Sequence, residues 1–297
     1  MFKPEIGKGF TPFELAEHHF IVSNRVINEA LKKANLKLED IDLISFSQGM
    51  GIPNSLKVGA SFARYLSLKY NKPLVGVNHA VAHIEIGRLK TGAKDPVIVY
   101  LSGGNSQVLA YVDGRYMVFG ETQDIPVGNA LDVLAREMGL PMPGGPEIEK
   151  LAKTGKFIEL PYVVKGMDMS FTGIMTAAIE KFKAGVKKED VAYSMQETCF
   201  SMLTEVTERA LAHTNKNEVL LVGGVAANKR LQEMMKIMCD ERGAKFYVVP
   251  QEFSGDNGLM IGWTGILVYK SGQTLKINES LVKQNWRTED AEITWIK

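Results

Sequence analysis

Cysteine is scarce. Only Cys199 and Cys239 occur in 297 residues, and both sit inside apolar helical patterns. They offer no disulfide framework and read as small core side chains of a protein in a reducing compartment. Long apolar runs are missing too. The opening MFKPEIGKGF holds no stretch of signal-peptide length. The longest run, NEVLLVGGVAAN, is too short and too rich in glycine to cross a bilayer. The expectation is a cytoplasmic chain with no membrane partner. No charge sign dominates either: 35 Lys and Arg face 34 Asp and Glu, a formal net charge of +1. Electrostatics alone would not hold a nucleic acid, although a local basic groove could. There is no low-complexity run and no short-period repeat. With 45% hydrophobic and 23% charged residues, the chain can bury a sizeable core, as one large domain or two lobes.

Local signals then order the chain. Thr11-Pro12-Phe13-Glu14 is a capping box with proline at the first helical position, which predicts a helix from Pro12 to Asn35. IDLISFSQG (41–49) reads as a strand, and GMGIPN opens a helix ending near Tyr70. KPLVGV (72–77) is a second strand. PVIVYLSGGNSQVLAYVDGRYMVFGE (96–121) alternates strands with a glycine turn and an Asp-Gly turn, an antiparallel meander. Helices are expected at 128–139, after the glycine-proline loop PMPGGP, and over 188–214. EVLLVGGVAANKRLQEMMKIMCDERG is strand, Gly-Gly turn, helix; AKFYVVP is a strand; DNGLMIGWTGILVYKSG is a helix. The tail after Gly272 is more polar. Alternation of this kind, with a meander in the middle, implies an α/β chain of two similar lobes.

Two features carry chemistry. The first is a strand running into a glycine turn, in FSQGMG, YLSGGNS and LLVGGVAAN. Such turns let backbone N–H groups approach anionic oxygen. One alone is weak, because tight turns need glycine structurally; Ser102-Gly103-Gly104-Asn105-Ser106 and Gly223-Gly224-Val225-Ala226-Ala227-Asn228 together favour a nucleotide cleft. The second is NHAVAH (78–83), in a stretch with helical spacing and a basic last turn. His79 and His83 are four apart, share a helix face and could bite one ion, or be ordinary polar helix residues. The metalloprotease motif H-E-x-x-H would place its general base where Ala80 stands.

VGVNHAVAHIE, VYLSGGNSQV, ETQDIPVGNALDV, PGGPEIEKLA, KGMDMSFTGI, VGGVAANKRL and SGDNGLMIGWTG occur in that order. From about Phe10 to the C-terminus the chain thereby resembles the universal tRNA threonylcarbamoyl transferases, the catalytic subunit of the KEOPS complex in its archaeal and eukaryotic form, once called sialoglycoprotein endopeptidases. The resemblance implies a two-lobed actin/Hsp70/sugar-kinase-like ATPase fold. Lobe one would be residues 1–99, with 272–297 a candidate to return to it, and lobe two 100–271, with a metal and nucleotide cleft between them. Relatives open with a strand hairpin and an E-G-T-A-like phosphate loop. FKPEIGKG has loop composition instead, so the expected first lobe lacks that N-terminal hairpin, and the start would be an internal methionine.

The resemblance further implies transfer of threonylcarbamoyl from threonylcarbamoyl-adenylate to N6 of the adenosine beside the anticodon. The metal ligands carried over are His79, His83, Tyr100 and Asp256, a borderline-hard set that suits one ion, Fe ahead of Zn. The donor-binding positions are Tyr100, Leu101, Ser102, Gly103, Gly104, Asp132, Gly145, Glu149 and Asn228. Asp132 and Glu149 can accept hydrogen bonds from ribose or threonyl groups, yet each also reads as an ordinary helix acid. No catalytic residue separate from the metal site is assigned. Lys165 and Ser170-Phe171-Thr172-Gly173 form a further turn with no role that chemistry assigns. Implied partners are tRNA, a small kinase-like ATPase subunit, and small accessory subunits docking on helices 12–35 and 54–70. Lys229, Arg230, Lys283 and Arg287 are candidate phosphate contacts, with scattered surface cations as the plainer account. The rivals are a nucleotide-binding regulatory subunit without catalysis and a metalloprotease.

Overall fold

A computed structural model describes residues 11–296; the opening FKPEIGKG, and with it the question of a preceding hairpin, lies outside the described residues. Contacts divide the described chain into two units. Residues 11–86 and 257–296 form unit 1, and residues 87–256 form unit 2.

Unit 1 opens with helix α1 (Pro12–Ala34), capped by the Thr11–Glu14 box and closed by Asn35 in the left-handed conformation at φ 54°. Strand β1 (Ile44–Gly49), helix α2 (Pro53–Tyr70) and strand β2 (Leu74–Asn78) follow, with β1 and β2 pairing in parallel. Phe20 of α1 meets Phe62 of α2, ring centroids 6.1 Å apart. No residue of α1 is buried, and Phe13 and Ile21 are each 70% exposed. Helix α3 (His79–Thr91) leaves β2 without a loop.

Unit 2 is built on a five-stranded mixed sheet. Strands β3 (Val97–Leu101), β4 (Ser106–Val112) and β5 (Arg115–Glu121) form the expected meander. Parallel strands β8 (Glu218–Val222) and β9 (Lys245–Val248) extend it from the other edge of β3. VIVYL and EVLLV are buried along their whole length. Continuous apolar runs of this kind mark strands covered on both faces. Helices α7 (Lys188–Thr214) and α8 (Lys229–Arg242) pack on the sheet, and α4 (Val127–Glu137), α5 (Gly144–Ala152) and α6 (Thr172–Lys183) pack on α7 in turn; the two-residue strands β6 (Val164–Lys165) and β7 (Asp168–Met169) and the short α9 (Gln251–Ser254) complete the unit. The segment read from sequence as a turn at 165–173 is a β6–β7 hairpin running into α6. The α6 N-terminus has no local side-chain cap. Instead the Asp124 carboxylate accepts from the Phe171 and Thr172 amides at 2.8 and 3.1 Å, a pairing across 47 and 48 residues that no local pattern announces.

The chain then re-enters unit 1 as α10 (Gly258–Lys270), whose cap Asn257 accepts from the Met260 amide at 3.0 Å. Sequence reading grouped this helix with the second lobe; it packs instead on β1 and β2. The polar tail runs along the same sheet. Leu275 N donates to Leu74 O and Lys283 N to Gln48 O, both at 2.8 Å. Leu275, Ile277 and Val282 join Phe46, Ala60, Ala63 and Leu74 in a shared apolar cluster.

Candidate functional site

In unit 1 the junction of β2 and α3 is tied down by Asn78. Its Oδ1 accepts from the Ala80 and Val81 amides at 3.0 and 3.2 Å, and its Nδ2 donates to the Trp286 and Arg287 carbonyls at 3.2 and 3.1 Å. That cap sets the first turn of α3 and brings the His79 and His83 rings to a centroid separation of 4.9 Å, edge to face. Because α10 packs on β2, Asp256, the residue leading into its cap, arrives at the same place. One donor atom each from His79, His83 and Asp256 lies within 4.8 Å of the others. Metal–nitrogen and metal–oxygen bonds are about 2.0–2.2 Å, so small side-chain rotations would put all three on one ion. His83 is buried and Asp256 exposed. Two imidazoles and one carboxylate are the donor set typical of non-haem iron, and acceptable to zinc.

Tyr100, the fourth carried-over ligand, stands near the end of β3 and is 1% exposed. Burial pushes its phenol up to about 12. Hydrogen bonds with Ser102 and Asn105 pull it down, and the Asp256 charge adds to the rise.

The donor-binding candidates meet in a cavity of unit 2 of about 240 Å³, where Gly103, Asp132, Gly145, Glu149 and Asn228 are all lining residues. Ser102 shapes the first turn beside it: its Oγ accepts from the Gly104 and Asn105 amides at 3.2 and 3.0 Å. Leu101 is fully buried and, like Tyr100, Ser102 and Gly104, is absent from the cavity lining. An apolar core side chain there can contribute only backbone.

Two glycines are steric necessities. Gly223 sits at φ +93°, and a Cβ on it would lie 2.2 Å from the Leu101 carbonyl oxygen. A Cβ on Gly128 would lie 2.7 Å from the Ser102 carbonyl oxygen. Both allow the glycine turns to stack closely enough to wall one cavity.

The acids carry structural duties alongside any ligand role. Asp132 accepts from the Gly144 amide at 2.7 Å. Burial pushes its carboxyl above the usual carboxylate value, against the pull of the Gly144 and Gly145 amides. Glu149 Oε1 accepts from the Lys229 amide at 2.8 Å. Asn228 is occupied at both ends. Its Oδ1 caps α8 through the Arg230 and Leu231 amides at 3.0 and 3.1 Å, and its Nδ2 donates to Gln196 Oε1 at 3.0 Å.

The lining also includes Leu131, Pro143, Pro146 and Val225, which sequence reasoning passed over because apolar residues inside a motif look like core. The candidate phosphate-binding cations are engaged locally. Arg230 forks onto Glu197 at 2.8 and 2.8 Å, Lys229 reaches Gln232, Lys283 lies over the Trp286 ring, and Arg287 pairs with Glu289. Asp124, drawn up by burial, is nonetheless brought below the ordinary carboxylate value by the Phe171, Thr172 and Ile125 amides. The SFTG motif is therefore a helix start. Among the described residues no helix is long and apolar enough to cross a membrane.

The mixed α/β arrangement matches known structures at the level of fold. HypF from T. kodakarensis superposes with a TM-score of 0.60 at 16% identity, over 80% of this chain and 42% of that one. Full-length HypF in a phosphate- and nucleotide-bound form gives 0.63 at 13% identity, over 84% and 50%. Over those spans the chain shares the fold of HypF. The family profile described as "TsaD: tRNA N6-adenosine threonylcarbamoyltransferase" matches residues 1–263, and the chain belongs to that family of transferases. A relative from Thermococcus kodakarensis bearing the same name is 56% identical over 289 residues, 97% of this chain and 89% of its own. One from Archaeoglobus fulgidus is 57% identical over 288 residues, 97% and 88%. A relative from Methanocaldococcus jannaschii, named probable bifunctional tRNA threonylcarbamoyladenosine biosynthesis protein, is 55% identical over 298 residues. The chain spans 55% of that relative's length.

Proposed function

We propose that this chain transfers a threonylcarbamoyl group from threonylcarbamoyl-adenylate to N6 of the adenosine beside the anticodon of a tRNA. The observation that carries the reading is convergence. Gly103, Asp132, Gly145, Glu149 and Asn228, scattered over more than a hundred positions of sequence, line one cavity. Its apolar walls suit an adenine ring, and the second oxygens of Asp132 and Glu149 can accept from ribose or threonyl groups. At the Ser102–Gly104 turn the Gly103 backbone N–H can be offered to the adenylate phosphate, since the Ser102 and Gly104 amides bond within the turn. In the reaction the adenosine amine forms a bond to the carbamoyl carbon, the bond from that carbon to the adenylate oxygen breaks, AMP leaves with the electron pair, and the amine nitrogen gives up one proton to solvent. Positioning and electrostatics supply most of the acceleration in such a step.

His79, His83 and Asp256, with Tyr100, would hold one ion, iron ahead of zinc, which when bound supplies Lewis acidity and a template. A metalloprotease is disfavoured by Ala80 at the position of the general base. The partners in this reading are tRNA, a small kinase-like ATPase, and small accessory subunits of a KEOPS-type complex in the cytoplasm. The exposed Phe13, Phe20 and Ile21 of α1 support the docking of those small subunits there. The test is the double variant His79→Ala/His83→Ala, assayed for tRNA modification and for folding by circular dichroism. Loss of modification with the fold kept is the expected result. Undiminished modification would remove the metal from the chemistry.

A further inference from the structure

The stretch KTGKFIELPYVVK, residues 153–165, links α5 to the β6–β7 hairpin and holds only two strand residues, Val164 and Lys165. It is nevertheless pinned at intervals to α7. Lys156 N donates to Asp190 Oδ1 at 2.7 Å, Ile158 N to Ser194 Oγ at 2.8 Å, and the Tyr162 hydroxyl to Glu205. Leu160 is turned inward, 7% exposed. Asp190, Ser194 and Glu205 fall within about 60° of one another on a helix turning 100° per residue, over roughly 22 Å of axis. Six extended steps from Lys156 to Tyr162 cover about 20 Å. The segment is thus a strap lying along one face of α7.

What the strap presents outward is a pair of aromatic rings flanked by cations. Phe157 is 60% exposed and Tyr162 49%; the exposed Lys153 and Lys156 precede them and the exposed Lys165 follows, with the exposed Glu159 between the two rings. The two α7 acids under the strap are engaged: Asp190 with the Lys156 amide, and Glu205 with Tyr162 and Arg209. The strap also starts beside the donor cavity. Glu149 lines that cavity, and Lys153 follows it by one turn of α5; the two share a second depression of about 250 Å³.

We propose that this strap is the contact surface for the single-stranded loop of the RNA substrate, with Phe157 and Tyr162 stacking on unpaired bases and Lys153, Lys156 and Lys165 facing phosphates. The inference rests on the transferase reading, since it is that reading which makes RNA the substrate. Separated aromatics flanked by cations suit splayed bases on a charged backbone. A protein partner would ask for a contiguous apolar patch, which Glu159 and Pro161 interrupt. Stacking costs little order here, because the hydrogen bonds to α7 have already fixed the backbone.

The experiment is a titration of the full chain with a labelled RNA hairpin carrying the anticodon loop, at several salt concentrations, with AMP binding as a check on the fold. Phe157→Ala should weaken hairpin binding about tenfold and leave AMP affinity unchanged, while Phe157→Tyr keeps binding near wild type. Lys153→Gln/Lys156→Gln should lower the slope of log K against log salt by about 0.7 per lysine. A wild type that binds the hairpin while Phe157→Ala binds within twofold of it would overturn the strap and leave the transferase reading standing. An equal loss on a fully paired RNA duplex would overturn it too. If the wild type binds no RNA, the transferase reading fails and the strap fails with it.

Discussion

Replacing Gln196 with leucine tests how the wall of the donor cavity is held. Gln196 is 3% exposed on α7, Asn228 is 7% exposed at the start of α8, and the hydrogen bond between their side chains, 3.0 Å long, is buried. Leucine is close to glutamine in volume, so the packing loss is small. The loss that matters is the stranded Asn228 amide, a buried donor without a partner, which costs about 1–3 kcal/mol. Asn228→Ala removes the α8 cap as well, at about 1 kcal/mol. In the double variant the donor and its acceptor are both gone. The leucine then costs little, and the cycle should return a coupling of about 1–2 kcal/mol.

Urea unfolding reads this as a shift in midpoint of roughly 0.5–1.5 M for Gln196→Leu, taking a slope near 2 kcal/mol/M. The probe has to be chosen with care. All three tryptophans, Trp263, Trp286 and Trp295, lie in unit 1, so far-UV circular dichroism is the signal that samples unit 2. Since Asn228 also lines the cavity, AMP affinity should fall in Gln196→Leu. Strict additivity of the two substitutions, or a leucine variant as stable as wild type, would refute the reasoning.

Three other outcomes follow from the same geometry. Gly223→Ala must place a Cβ 2.2 Å from the Leu101 carbonyl at φ +93°; it should destabilise by more than about 1 kcal/mol, seen as a lower urea midpoint with weakened AMP binding. Asp124→Ala removes a cap from α6 and should cost about 1 kcal/mol at pH 7. The Phe171, Thr172 and Ile125 amides hold the folded Asp124 carboxyl below its ordinary pKa, so its contribution is present above the unfolded value of about 3.9. It is lost as pH falls through the folded one, and the gap between wild type and variant, followed by acid-dependent unfolding, should close below pH 4. Ferrous or zinc ion at about a hundred times its dissociation constant should stabilise the wild type by about 2.7 kcal/mol and leave His79→Ala/His83→Ala unmoved in a thermal melt. An equal shift in both proteins would place the ion elsewhere.

How far the sequence could be read depended on whether each element is specified locally. Helix α1 was legible because its stop signals are its own: the Thr11–Glu14 box, Pro12, and Asn35 in the left-handed cap. The limits of α7, 188–214, were legible likewise, as an amphipathic run ended by Asn215 at φ 55°. Helix α6 was not, because the group that satisfies its first amides is Asp124, whose own motif reads as a loop before a different helix. The histidine pair could be placed on one face from spacing alone. Asp256 could not be joined to it that way; its position depends on α10 packing on β2, a tertiary fact that only the resemblance anticipated. The cavity divides along the same line. Its glycines and acids stand out in sequence, whereas Leu131, Pro143 and Val225 line it with residues that any core would use.

The polar groups round the cavity show why a motif residue need not be a ligand. Glu149 lends one oxygen to the Lys229 amide, Asp132 lends one to Gly144, and Asn228 spends its oxygen on α8 and its amide on Gln196. Glu149 on α5 and Asn228 therefore fix the same helix end from two directions, and PGGPEIE and VGGVAAN are mechanically joined before any ligand arrives. A donor molecule would use what those bonds leave over: the second carboxylate oxygens and the backbone of the turns. Removing Glu149 should then loosen α8 as well as weaken donor binding, whereas a side chain with a ligand role alone would do only the latter. Stability and affinity measured together on Glu149→Ala separate the two cases, and a variant that keeps its urea midpoint while losing AMP affinity would show that the bond to Lys229 holds nothing in place.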